Sequence, residues 1–229
     1  MLEGQTVLIM GGNAGIGLAV ARLAYEQGAR LVVASRSAGE RASELAQELG
    51  PEVMVVSCDL TKPGDYGPLL QTAGRIDHLV VAVRPRLDPA PFAALDLAQA
   101  RQGMDVKLWG ACHLIQQALP QLNPRASITL TSGIIGRKVS AGHAAMAVIN
   151  GAVETMVRAL AMELAPARVN AVSPGYLAPK PAEVAARAAG FPAKRLGELT
   201  EAAAAYAHLM SSPYVTGTVA VVDGGALLS

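Results

Sequence analysis

The chain has 229 residues, a formal net charge of +1 and 16% charged residues. This balance gives no electrostatic reason to expect a nucleic acid or a membrane as partner. Hydrophobic residues make up 52% of the chain and aromatic residues only 3%, which predicts an aliphatic core within one α/β domain. The two cysteines, Cys58 and Cys112, have neither metal-ligand nor disulfide spacing, so we expect reduced thiols and no metal site. Because no secretory signal and no apolar run of about 18 residues is visible, we expect a cytoplasmic protein.

The first predicted element is a strand that ends at a glycine-rich turn. An apolar run over 7–10 stops at glycines, and an apolar helical pattern follows. This order suits a dinucleotide, whose pyrophosphate is held at the helix N-terminus; the alternative is a turn with a structural role alone. Gly11 permits the tight turn, Gly15 lets a pyrophosphate approach the backbone, and Gly17 lets the helix lie close to the strand. The candidate cofactor residues here are Gly11, Asn13, Gly15, Ile16 and Gly17.

A second buried strand is predicted over 30–34, and Ser35 and Arg36 follow it. In a βαβ dinucleotide site, an acidic residue at this position accepts the ribose 2′-hydroxyl. The chain has no acid there. A hydroxyl and a guanidinium suit a 2′-phosphate instead, because arginine can donate two parallel hydrogen bonds to phosphate. We therefore predict NADP(H) as cofactor, against the alternative of a solvated surface arginine.

The next predicted elements are a helix over 38–49, strands over 53–57 and 78–83, and between these strands a short helix over 65–73. Asp59 follows the third strand, where it either bonds the adenine amino group or caps the next turn. Arg84 and Arg86 lie in the loop after the fourth strand. Ligands bind at such loops in open α/β sheets, so these arginines either bind an anionic substrate or form a solvated face.

The second half of the chain continues the alternation of helices and strands. Its predicted elements are long helical stretches over 92–119 and 143–164, strands over 127–132, 168–172 and 218–222, and a helix over 200–210. The segment 176–199 is rich in proline and alanine and is interpreted as a mobile lid. Neither a repeat nor a linker interrupts the pattern, which predicts one doubly wound domain over 1–229.

Several separated motifs occur in an order that resembles the short-chain dehydrogenase/reductase family. They are the glycine turn, Cys58-Asp59-Leu60, Ser132, Arg168 to Gly175, Val215-Thr216-Gly217 and Asp223-Gly224-Gly225. The resemblance implies a Rossmann-type fold, a parallel sheet of seven strands in the order 3-2-1-4-5-6-7, and a nicotinamide cofactor. It also makes Asp59, Leu60, Ala82, Asn150, Pro174 and Gly175 candidates for cofactor contacts.

The catalytic residues of that family are only partly present. Its members use a serine, a tyrosine, a lysine four residues later and usually an asparagine. Ser132 fits the serine, whereas Met146 stands at the tyrosine and Asn150 at the lysine. Methionine has no proton to donate. General acid catalysis is typically worth about 10²–10⁴-fold, so another group must supply the proton if the reaction is retained.

The asparagine position of the resembled family is Lys107 in this chain, so lysine and asparagine have changed places. Two independent substitutions are the alternative to a functional exchange. We hypothesise that the ammonium of Lys107 points toward Ser132 and Asn150, with its pKa lowered by burial so that it acts as acid or base. Ser132 would then orient the substrate oxygen, and Asn150 would bond the ribose hydroxyls.

Two other residues are candidates for substrate contact. His143 precedes Met146 by three residues and is either a general acid/base or a helix-start group. Tyr176 and Lys180 form a literal Tyr-x-x-x-Lys sequence, but Pro179 and Pro181 flank the lysine, so helical stacking of the pair is not expected. Tyr176 remains a candidate neighbour of the nicotinamide.

Three functions follow from these observations. The first is an atypical NADP(H)-dependent oxidoreductase that acts on a small carbonyl or alcohol. The second is a non-redox cyclase, isomerase or lyase, and the third is a catalytically silent NADP(H)-binding subunit. The resemblance also implies a homodimer or homotetramer built on the helices over 92–119 and 143–164.

Overall fold

A computed structural model describes residues 2–229 and shows one parallel sheet of seven strands in the order β3-β2-β1-β4-β5-β6-β7, which confirms the predicted topology. The strands are β1 Thr6–Met10, β2 Arg30–Ser35, β3 Met54–Ser57, β4 Ile76–Val81, β5 Leu122–Thr131, β6 Arg168–Pro174 and β7 Val219–Val222. Adjacent strands run parallel because a crossover segment, usually helical, separates each strand from the next along the chain. All the carboxyl ends of the strands therefore meet at one edge of the sheet.

The helices cover both faces of the sheet. They are α1 Gly15–Glu26, α2 Ala42–Leu49, α3 Tyr66–Ala73, α4 Leu97–Met104, α5 Gly110–Ala118, α6 Ala144–Glu163, α7 Ala182–Arg187 and α8 Leu199–Ser211. α1, α2 and α8 pack on one face, and α3, α5 and α6 pack on the other. Alternate residues of β1 point to opposite faces of the sheet. Leu8 packs on the face of α3, α5 and α6, and Ile9 packs on the face of α1, α2 and α8. This arrangement is the predicted doubly wound domain.

The boundaries of several predicted strands differ from the sequence expectation by one or two residues, and that of β5 by five. β4 covers Ile76–Val81 rather than 78–83, and β5 begins at Leu122 rather than 127. The early part of β5 is half-buried or exposed, so it lacks the continuous apolar run that marks a central strand in the sequence.

The stretch over 92–119 is not one helix, which corrects the sequence expectation. A 3₁₀ turn at Phe92–Ala94 comes first, and α4 begins after Asp96, whose carboxylate accepts hydrogen bonds from two backbone N–H groups of its first turn. A π-helical segment, Asp105–Trp109, then separates α4 from α5. A π turn contains one residue more than the surrounding α-helix and frequently marks a functional position. Lys107 lies in this segment.

The segment 176–199, interpreted from sequence as a lid, is folded and has its own small core. It contains α7, and Leu177 pairs with Gly197 in an isolated parallel bridge. Ala188 and Phe191 are buried with Ile134 and Ala226 in an apolar cluster that is separate from the two on the faces of the sheet, and we call it the third apolar cluster.

Only α6 is long and apolar enough to cross a membrane by length and composition, among the described residues. It carries the buried polar side chains of Asn150 and Glu154, and it packs against β5 and β6. We attribute its apolar character to packing on the sheet.

Candidate active site

The turn between β1 and α1 requires glycine for packing at two positions. A Cβ atom on Gly11 would lie 2.6 Å from the carbonyl oxygen of Ala82, and Gly11 has a φ of +86°. A Cβ atom on Gly17 would lie 2.1 Å from the carbonyl oxygen of Gly11. Gly15 differs, because a Cβ there would meet open space, and its φ of +54° is what favours glycine. The turn thus packs tightly inward and leaves space above Gly15.

Among residues 2–229, the free N–H groups at the N-terminus of α1 have no hydrogen-bond partner. Its N-cap residue, Ala14, makes no side-chain hydrogen bond, and no acidic residue lies in the first turn. Ile16 in that turn is half-buried. Asn13 donates to Ser37 Oγ over 3.3 Å, and its carbonyl accepts a hydrogen bond from Arg41. An uncapped helix start beside open space is suited to an anionic group.

The end of β2 combines a buried hydroxyl with an exposed guanidinium. Ser35 Oγ is buried and has no hydrogen-bond partner among residues 2–229, and Arg36 is exposed. Asp59 accepts hydrogen bonds from Thr61 N at 2.9 Å and Thr61 Oγ1 at 2.8 Å, which is the turn-capping interpretation. Burial raises the pKa of Asp59, but the Thr61 hydrogen bonds and the charges of Arg36 and Lys62 outweigh it, so the net pKa is lowered. Arg36 therefore lies close enough to Asp59 to act on its charge.

The remaining cofactor candidates lie near the carboxyl edge of the sheet. Ala82 N donates to Met10 O over 2.8 Å, which fixes the chain beside the glycine turn. Leu60 is buried, and its carbonyl accepts from Tyr66 Oη at 2.6 Å. Gly175, which follows Pro174, donates to Val222 O over 2.9 Å, and a Cβ there would lie 2.8 Å from Asp223.

Lys107 is the centre of the candidate catalytic cluster. Its Nζ donates to Asn150 Oδ1 over 2.7 Å and to the backbone oxygen of Ser132 over 2.9 Å. The side chains of Lys107 and Asn150 are only 6% and 2% exposed. Burial first, and the nearby charge of Arg84 second, lower the pKa of Lys107 to about 7. These are the contacts that the exchange hypothesis requires, and the catalytic role of Lys107 stays a prediction.

Ser132 contacts Lys107 through its backbone rather than through its hydroxyl. Its backbone carbonyl faces Lys107, whereas its hydroxyl donates to Glu154 Oε1 over 3.0 Å. The hydroxyl turns to Glu154 because a carboxylate is the stronger acceptor and lies one helical turn after Asn150 on α6. The expected role of Ser132 in orienting a substrate oxygen stays a prediction.

Glu154 is a site residue that sequence reasoning missed. It is 8% exposed and pairs with Arg137, whose Nε lies 2.9 Å from Oε2 and 3.1 Å from Oε1. Its signal in the sequence is its spacing, since 146, 150 and 154 follow one another at four-residue intervals along α6. Met146 is half-buried in the first turn of that helix.

His143 and Tyr176, the substrate candidates, have structural partners in this arrangement. His143 stands at the N-cap of α6, with its Nδ1 3.0 Å from Ala141 O and 3.2 Å from Ser140 Oγ. This is the helix-start interpretation. The Tyr176 ring lies 5.3 Å from the ring of Phe191 and joins the third apolar cluster.

The loops around Lys107 carry positive charge. Arg84 and Arg86 are exposed in the loop after β4. Lys180 is half-buried in the segment after β6, and its pKa is lowered by burial and by the charge of Arg84. Arg84 thus lies close enough to influence both Lys107 and Lys180. Throughout residues 2–229, no three His, Cys, Asp or Glu side chains are arranged to hold a metal ion.

Comparison with known proteins covers almost the whole chain. The family model described as enoyl-(acyl carrier protein) reductase matches residues 11–226. A short-chain dehydrogenase/reductase of Stachybotrys chlorohalonatus is 34% identical, with 99% of this chain and 98% of the relative covered. The 3-oxoacyl-[acyl-carrier-protein] reductase of Bos taurus is 32% identical, with 96% of this chain and 97% of the relative covered.

A solved structure of similar fold is a small-chain dehydrogenase in complex with NADPH. It is 31% identical to this chain, has a TM-score of 0.85, and covers 99% of this chain and 100% of its own.

Proposed function

Because the chain belongs to the short-chain dehydrogenase/reductase family of oxidoreductases, we propose that it transfers hydride between NADP(H) and a small carbonyl or alcohol, with Lys107 replacing the usual tyrosine as proton donor. The observation that carries this proposal is the buried ammonium of Lys107, held by Asn150 and by the Ser132 carbonyl. Met146, at the tyrosine position, has no proton to offer.

The cofactor of this proposal is NADP(H). The NADPH complex of a 31% identical structure supports it, and so do the residues of this chain. The turn from Gly11 to Gly17 would hold the pyrophosphate at the uncapped start of α1. Ser35, with its unpaired buried hydroxyl, and Arg36 would hold the 2′-phosphate. NADPH, when bound, supplies the hydride.

Lys107 is suited to moving a proton at neutral pH. An ammonium has three N–H donors, and Lys107 uses two of them on Ser132 O and Asn150 Oδ1. The third remains to donate to a substrate oxygen. With its pKa lowered to about 7, the side chain exchanges readily between the ammonium that donates a proton and the amine that accepts one.

The charge around Lys107 supports an anionic substrate. The charge of Arg84 acts on both Lys107 and Lys180, and none of the three forms an ion pair among residues 2–229. A group of cations without a carboxylate partner is stabilised by a bound anion. We include a negatively charged group, such as a carboxylate, in the proposed substrate.

The assembly of this proposal is a homodimer or homotetramer in the cytoplasm. Val148 and Met162 on α6 are 62% and 82% exposed, and Trp109 at the end of the π segment is 53% exposed. A groove of about 270 Å³ between α4 and the first turns of α6 is lined almost entirely by apolar residues. Association through these helices would bury the exposed apolar side chains.

The test is NADPH oxidation, followed by absorbance, with pairs of small 3-oxo acids and their neutral amides. We expect turnover that favours the acid, and a pH profile with a midpoint near the pKa of Lys107, about 7. Lys107→Met should lower turnover by about 10²–10⁴-fold and leave NADPH binding measurable. Lys194→Met, which changes an exposed lysine away from the cofactor candidates, is the matched control.

Full turnover by Lys107→Met would refute the assigned proton donor. Tight NADPH binding without oxidation of any substrate in either direction would support the silent-subunit function instead. Product formation without consumption of NADPH would support a non-redox enzyme.

A further inference from the structure

The Ser132 carbonyl that holds Lys107 is followed by glycine. The direction of that carbonyl depends on rotation about the bonds on either side of the Ser132–Gly133 peptide. Gly133 lacks a Cβ, and one built there would lie 2.9 Å from Asn150 Nδ2, so a larger residue would displace the amide that holds Lys107. The same absence of a side chain leaves the peptide with fewer steric limits on its rotation.

Two hydrogen bonds restrain Ser132 from the opposite side. Its backbone N–H donates to Val172 O over 2.9 Å, and its hydroxyl donates to Glu154 Oε1 over 3.0 Å. Glu154 is itself fixed by Arg137, which reaches both carboxylate oxygens. A chain of contacts therefore runs from Arg137 through Glu154 and Ser132 to Lys107.

We propose that Glu154 is a positioning residue, which fixes Ser132 and thereby the carbonyl oxygen that holds the Lys107 ammonium. Glu154 does not touch the reacting atoms; it acts through Ser132. The assignment of Lys107 as proton donor rests on the proposed function, but the positioning of its ammonium does not. Glu154 and Asn150 thus support the same ammonium from successive turns of α6, the first through Ser132 and the second directly.

The charged groups around Lys107 allow positioning to be separated from a direct effect of charge. The charge of Arg84, in the loop after β4, acts on Lys107 and also on Lys180. The Arg137–Glu154 pair contacts the Ser132 hydroxyl through Glu154. Glu154→Gln removes the negative charge and retains an oxygen that accepts from Ser132. Glu154→Ala removes both. Positioning predicts that the pKa of Lys107 changes in the alanine variant and stays close to the wild-type value in the glutamine variant.

The readout is the pKa of Lys107 measured by NMR of ¹⁵N-labelled lysine side chains, with the Lys107 signal assigned by its loss in Lys107→Met. The chain has only five lysines, so the spectrum is simple. In Glu154→Ala we expect the midpoint of the Lys107 titration to fall by roughly one pH unit, because a buried ammonium that loses a fixed acceptor is less favoured. Glu163→Ala, which removes an exposed carboxylate from the end of the same helix, should not move it.

A double-mutant cycle provides the decisive comparison. Ser132→Ala keeps the carbonyl and removes the hydroxyl, so it should lower the midpoint as Glu154→Ala does, and the double variant should show no further fall. Additive falls, an unchanged midpoint in Glu154→Ala, or equal effects of Gln and Ala would overturn the proposal. If Glu154→Ala fails to fold, the Ser132→Ala and Glu154→Gln titrations still decide it. A wild-type protein without turnover that nevertheless shows these shifts would refute the proposed function and leave the positioning role intact.

Discussion

Asn150→Lys gives the most direct test of whether Lys107 and Asn150 are an exchanged pair. The substitution places a second amine where Asn150 Oδ1 now accepts from Lys107 Nζ at 2.7 Å. Lys107 loses an acceptor and gains a like charge at a site where both side chains are buried. The paired change, Lys107→Asn with Asn150→Lys, restores one cation and one amide in reversed order.

The magnitude follows from the contact. A hydrogen bond to a charged group is worth about 1.5–3 kcal/mol. Two unit charges roughly 4 Å apart repel by about 4 kcal/mol at an effective dielectric constant of about 20, unless one amine gives up its proton. At pH 6, deprotonating one amine costs less than this repulsion, about 1.4 kcal/mol for a pKa of about 7. Together with the lost hydrogen bond, we therefore expect Asn150→Lys to lower the free energy of unfolding by about 3–4 kcal/mol at pH 6. The loss should shrink above the Lys107 pKa of about 7, where neutral amines no longer repel. The paired change should recover more than half of the loss.

Chemical denaturation of the wild type, both single variants and the paired variant completes a double-mutant cycle. A favourable coupling of at least about 1.5 kcal/mol is expected between positions 107 and 150. Additive effects of the two substitutions, or an Asn150→Lys variant as stable at pH 6 as at pH 9, would refute the reasoning.

Four further outcomes are expected. Arg36→Ala should weaken NADPH binding by about 1.5–3 kcal/mol in calorimetry and leave NADH binding unchanged, whereas equal wild-type affinities for the two cofactors would exclude a 2′-phosphate contact. Burial is the main cause that lowers the pKa of His78, in β4, from 6.5 to about 4. As the pH falls, the unfolded chain therefore binds a proton before the folded chain does, and the free energy of unfolding should fall between about pH 6.5 and 4. The loss should reach about 3 kcal/mol, and denaturation across that range should show it in the wild type and not in His78→Gln. Adding Met146→Tyr to the exchanged 107/150 pair should raise the rate of carbonyl reduction, and an unchanged rate would show that position 146 does not serve the reacting oxygen. Light scattering should give a multiple of 23.5 kDa that Val148→Asp reduces, and a monomeric wild type at micromolar concentration would contradict the helix-mediated assembly.

The strands were accessible from the sequence because each central strand is a short apolar run followed by a turn signal, whereas their order in the sheet followed from the resemblance. The glycine turn was accessible for a different reason. At Gly11 and Gly17 any side chain would collide with a backbone carbonyl, so the sequence must have glycine there. The contact between Lys107 and Asn150 followed from the resemblance, which places these positions near each other, rather than from periodicity.

The role of Ser132 was not accessible from the sequence. Whether its hydroxyl or its carbonyl faces Lys107 depends on a side chain 22 residues away, Glu154, which competes for the hydroxyl. The break between α4 and α5 was also missed. Helical periodicity over a window of this size does not distinguish a π turn of five residues from continuous α-helix, because the apolar pattern shifts by only one position.

The π turn at Asp105–Trp109 has a consequence for chains of slightly different length. Removing one residue within it would let the backbone close into ordinary α-helix, and successive α-helical residues are rotated by about 100° about the axis. Side chains before the deletion would keep their direction relative to α4. The buried side chains of α5 hold it in the core, with Gly110 in close approach to Leu60. Position 107, between these two fixed pieces, would absorb the rotation. A single-residue deletion, without any change of residue type, would therefore turn the lysine away from Asn150 and separate the two halves of the pair.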